Sequence, residues 1–69
     1  MKNKKLDQFL KLEIGFYDYI KDIETNRVVG KVVEISYNHG FRTDDGEPWL
    51  AGQVKKATDE EVMLYMFEN

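Results

Sequence analysis

The chain has 69 residues, is 42% hydrophobic and 13% aromatic, carries a net charge of −3 and contains no cysteine. That length holds one domain, burying only about 60% of its unfolded surface, and the apolar content excludes a disordered segment. Without cysteine there can be no disulfide, no thiolate metal site and no cysteine nucleophile, which fits a cytoplasmic setting.

The charge is uneven. Lys2, Lys4, Lys5 and Lys11 outweigh Asp7 at the start, Asp59, Glu60, Glu61 and Glu68 stand uncompensated at the end, and the middle is mildly acidic. Such a body argues against general duplex binding, where phosphate neutralisation dominates affinity. The basic start lacks the apolar run of a signal peptide, being interrupted by Asp7, Gln8, Lys11 and Glu13, and no stretch approaches the ~20 apolar residues of a membrane span. The sequence reads as soluble, with no membrane partner.

In chain order, Leu6, Phe9 and Leu10 recur at helical spacing, so residues 1–12 read as a tail or short helix and residues 13–69 as one small domain. Phe16 to Ile23 is aromatic and β-prone, with Tyr17, Tyr19 and Ile23 on one side of a period-2 pattern. Glu24 to Arg27 is a turn with Asn26 suited to a left-handed position. Val28 to Tyr37 is the strongest strand, with Val33, Ile35 and Tyr37 alternating and Gly30 marking a bulge or bend. Asn38-His39-Gly40 makes a second turn, Phe41 to Thr43 a short strand, and Asp45-Gly46 a hairpin, with Pro48 opening a return strand to Val54. Thr58-Asp59-Glu60-Glu61 has the form of a capping box, starting a helix over about 59–66. Val62, Leu64 and Met66 also alternate, as they would in a closing strand.

Four short strands, a glycine in the second and a helical end predict a mainly β fold, a small antiparallel barrel with a short C-terminal helix. Gly15, Val29 to Ile35, Asp44-Asp45-Gly46, Trp49 and Ala57 to Val62, in that order, resemble the short SH3-like, KOW-type domains of bacterial and phage small proteins. The resemblance spans about Leu12 to Val62. It implies a barrel that binds protein, RNA or DNA through its loops and has no shared catalytic residues.

The residue chemistry agrees with a binding role. No glycine pattern for nucleotides, no nucleophile motif around Ser36, Thr43 or Thr58 and no other cofactor motif is present. His39 with Asp45 is the one conceivable acid–base pair, and a solvated loop histidine is the simpler reading. Asp44, Asp45 and Glu47 lack the spacing of a calcium loop. The expected site is an aromatic surface centred on Trp49 with Tyr17, Tyr19, Tyr37 and Phe41, flanked by Asp44 and Asp45, which docks another protein with basic character. The alternative is single-stranded nucleic acid on Lys31, Arg42, Lys55 and Lys56. Homodimerisation is left open by the apolar run ending at Phe67, since a helix apolar on several sides must bury more than one.

Overall fold

The computed structural model describes residues 4–68; residues 1–3 of the expected tail and residue 69 lie outside them. A short helix α1 (Lys4–Leu10) precedes five strands, β1 (Tyr19–Asp22), β2 (Arg27–Ser36), β3 (Gly40–Thr43), β4 (Pro48–Leu50) and β5 (Val54–Lys56). A 3-10 turn (Ala51–Gln53) joins β4 to β5, and helix α2 (Asp59–Glu68) follows. All pairings are antiparallel and the strand order is β4-β3-β2-β1-β5. The fold is mainly β, a small SH3-like barrel with a helix appended at each end.

β2 makes the barrel because it serves both halves. Its first residues pair with β1 and its last with β3. Two register shifts bend it. Ile20 faces Gly30 while Lys21 faces Val28, leaving Val29 extra; Val32 faces Thr43 while Glu34 faces Arg42, leaving Val33 extra. An extra residue on one strand increases local twist and turns the chain, so one long strand folds over into two ladders. Gly30, at φ 152°, sits beside the first shift, and a Cβ there would meet the Asp44 carboxylate at 2.8 Å. The expected bend is therefore present.

Between the ladders lies the core of Ile20, Val32, Phe41 and Val54, closed on one side by Phe9 of α1. Ile20, Val32 and Val54 are fully buried, each worth roughly 1.5–3 kcal/mol relative to exposure. The inward residue of β1 is thus Ile20, not the Tyr17–Tyr19–Ile23 side that alternation suggests. Tyr17 precedes the strand in a left-handed turn at φ 71°, and Ile23 follows it, exposed. On β2 Val32 likewise points inside, and the second shift leaves Val33 exposed.

The expected single return strand from Pro48 to Val54 is two strands. Ala51 and Gly52 turn the chain, the Gln53 side chain accepts the Leu50 amide at 2.9 Å, and β5 crosses to pair with β1. The capping box forms: the Glu61 amide donates to the Thr58 hydroxyl at 3.2 Å and the Thr58 amide to Glu61 Oε1 at 2.9 Å. α2 is helical to Glu68, which settles residues 62–67 as helix rather than strand.

Candidate partner-binding surfaces

Residues i and i+2 of a strand share a face, and residues i and i+4 of a helix share a face. Tyr19 and Lys21 on the outer side of β1 therefore meet Tyr65 and Glu61 of α2. The Tyr19 and Tyr65 rings lie 5.8 Å apart at 59°. Lys21 Nζ, almost buried, pairs with Glu61 Oε2 and donates to Asn26 Oδ1 at 2.8 Å. Asn26 can reach it because its left-handed backbone, φ 61°, curls the β1–β2 turn back. One Glu61 oxygen thus caps α2 while the other holds the helix to the barrel.

The Lys21 hydrogen bond, then the Thr58 amide, lower the Glu61 carboxyl from its ordinary 4.5 to about 2. Because the folded pKa is depressed, the contribution of this pair to stability is complete above about pH 4.5 and disappears as the pH falls towards 2. Asp45, held low chiefly by the Thr43 hydroxyl, titrates in the same direction. We expect acid to loosen α2 in this window, read as loss of tyrosine near-UV dichroism. Lys21→Met should flatten that change while leaving the Asp45 contribution; an unchanged acid profile would mean the pair does not fasten the helix.

The side of α2 turned away from Glu61 and Tyr65 carries Met63, Met66 and Phe67. None of its residues is buried, and Met63, Leu64, Met66 and Phe67 are more than half exposed, Phe67 at 84%. Six consecutive apolar residues, Val62 to Phe67, wrap every side of the helix; Glu61 and Tyr65 hold the barrel, and Leu64 and Glu68 line a groove against Asn26, Arg27 and Val28. These four side chains were not among the residues the sequence reading chose for a site. The run of six was the available signal.

The chosen aromatic residues do not share one surface. Phe41 is 4% exposed and stacks on Phe9 at 5.0 Å, so it belongs to the core and offers no contact area. Trp49, opposite Phe41 across β3–β4, is half-buried against that core, and its indole N–H is buried without a protein acceptor. Tyr37 is exposed beside Phe9. Tyr17 lies elsewhere, 70% exposed, with Lys31 Nζ 5.9 Å above its ring and Phe16 against it. A bulky residue at positive φ is uncommon and strained. Tyr19 is taken up by Tyr65.

The acidic pair fastens its own loop. Asp44 accepts the Lys31 amide at 3.3 Å, and Asp45 accepts the Thr43 hydroxyl and the Glu47 amide. No group of three potential metal ligands occurs among the described residues. The cations are dispersed: Arg42 binds Glu34 at 3.7 Å and the Gly46 carbonyl at 2.8 Å, Lys56 binds Asp18 at 3.6 Å, and Lys55 is exposed on β5. Arg42 lies on β3, away from Lys31, which faces β1 from β2, and from Lys55 and Lys56 on β5.

A shallow hollow of about 350 Å³ lies across β2, β3 and β4, lined by Glu34, Ser36, His39, Arg42, Pro48 and Leu50 among others. Among the described residues no ion pair joins His39 to a carboxylate, although Glu34 lines the same hollow. The adjoining edge of β4 is closed to strand addition. Ala51 and Thr43 amides bond the His39 and Glu47 carbonyls, so the alternating ladder turns residues 48 and 50 outward. Pro48 has no amide hydrogen, and that of Leu50 is held by Gln53. No helix among the described residues is long and apolar enough to cross a membrane. No family model, curated protein or solved structure matches the chain.

Proposed function

We propose that the chain is a non-catalytic protein-binding module, an adaptor or inhibitor acting in the cytoplasm, that docks its partner on the outward side of α2. The observation that carries this is the exposure of Met63, Met66 and Phe67 on a helix fixed by Glu61 and Tyr65 on its other side. Contiguous exposed apolar surface on a small domain marks an interaction site. Holding the helix rigid before binding spares the partner the cost of ordering it. The resemblance to small SH3-like barrels, which bind through their surfaces and share no catalytic residues, is in keeping with a binding role.

Affinity capture with the wild type, Trp49→Phe and Met63→Ser/Phe67→Ser tests this. A discrete protein retained by the first two and lost by the third, all three giving the same far-UV dichroism, is the expected result. Equal capture by all three would remove α2 as the docking surface.

Nucleic acid is the second reading, favoured by one observation: exposed Phe16 and Tyr17 stand beside Lys31, and Lys56 reaches the same loop through Asp18. Aromatic rings with cations suit single strands. That reading requires binding of a fluorescent oligonucleotide that weakens steeply with salt and is lost on Tyr17→Ala.

A further inference from the structure

We infer that the outward side of α2 takes a basic amphipathic segment of another protein, with apolar side chains at helical spacing flanked by lysine or arginine. This rests on the reading of α2 as a docking surface and adds the chemistry of the occupant.

Glu60, Met63 and Phe67 stand at i, i+3 and i+7, so they form one line along the helix. Glu61 and Tyr65, which hold the barrel, lie on a different side. The strip is therefore apolar in its second half and acidic in its first turn, where Asp59 and Glu60 are both exposed. Among the described residues neither takes part in an ion pair, whereas Glu61 is bound to Lys21. α2 carries no lysine or arginine at all.

That charge pattern selects among occupants. A second α2 in parallel would bring Asp59 and Glu60 against residues of the same sign, which is strongly disfavoured across an interface, and an antiparallel one would leave both acids without a cation. An anionic membrane is repelled for the same reason. A basic segment gains at the point where these partners lose. Met63 in the strip, with Met66 beside it, allows it to adapt to differently shaped apolar side chains, and the exposed aromatic Phe67 is the anchor.

The probe is a fluorescent peptide of leucine and lysine, leucines at i, i+3, i+4 and i+7, titrated with the full chain beside a counterpart with glutamate for lysine. We expect the lysine peptide to bind at least ~10-fold more tightly than the glutamate one. Met63→Ser/Phe67→Ser keeps every charge and should weaken binding by ~10-fold or more, while Asp59→Lys/Glu60→Lys should reverse the preference. Far-UV dichroism confirms that each variant folds, and Phe67→Ser alone repeats the test at the most exposed position. Binding that survives Met63→Ser/Phe67→Ser would be charge capture only and overturns the inference. Equal binding of both peptides, lost in that variant, overturns the basic occupant but keeps α2 as a docking surface. Sedimentation showing a dimer that Phe67→Ser dissolves would replace the basic segment with a second copy. A monomer that binds neither peptide overturns both readings.

Discussion

Gly40→Ala is expected to lower the urea midpoint by more than ~1 M at 25 °C. An added Cβ would lie 1.9 Å from the Trp49 carbonyl oxygen and 2.9 Å from Leu50 Cα, both backbone atoms of the neighbouring strand. Neither can rotate aside as a side chain would. Relief requires β4 to move off β3, which breaks the Phe41–Trp49 pair and the Ala51 to His39 bond. Forced overpacking commonly costs ~1–3 kcal/mol, and a contact this short against backbone should reach ~3 kcal/mol or more. A domain of this size has about 3–10 kcal/mol in total. Gly52→Ala is the control, since nothing lies within 4 Å of its added Cβ, and it should shift the midpoint by less than ~0.5 M. Trp49 fluorescence follows both unfolding curves. If Gly40→Ala proves as stable as Gly52→Ala, the close approach of β3 and β4 described above is wrong.

Phe9→Ala should be nearly as damaging, although Phe9 lies outside the sheet. Its ring is 5% exposed, stacked on Phe41 and tilted against Tyr37 at 5.7 Å. Removing a buried phenylalanine costs ~3–5 kcal/mol, the transfer loss plus the cavity left behind. Collapse into that cavity is hindered because Phe41 is fixed in β3 by strands on both sides. Leu10→Ala, next in the chain but 54% exposed, should cost less than ~1 kcal/mol. Urea denaturation of the two variants gives the comparison. Equal small effects would mean that α1 merely rests on the barrel; the expected difference makes it part of the domain.

The contrast between these two positions shows where sequence reading succeeds. Leu6, Phe9 and Leu10 announce a helix by spacing, but which of them is buried depends on how α1 meets Phe41, a residue over thirty positions away. On β1 alternation misleads for a related reason. One side packs on the core through Ile20, and the other, Tyr19 and Lys21, is covered by α2, so neither side reads as solvent. The fifth strand was missed because Val54 to Lys56 is three residues long, too short for a periodic signal, and is recognised only by its pairing with β1. The expected aromatic surface dispersed because each ring follows its own element. Phe41 goes inward on β3, Tyr17 outward in a strained turn, and Tyr19 under α2.

What the amino-acid order decided unaided are the features whose physics spans a few residues. Asn26 and Asn38 adopt positive φ, Gly46 turns the Asp45-Gly46 hairpin, Pro48 opens an edge strand, and Thr58 and Glu61 cap α2. Each depends on a local backbone preference or a side chain reaching its own main chain. Only the tertiary structure decided that Gly40 must be glycine, that Lys21 is buried against Glu61, and that Met63 and Phe67 are left facing outward. Those outcomes depend on distances between residues far apart in the chain, which propensity and periodicity do not encode.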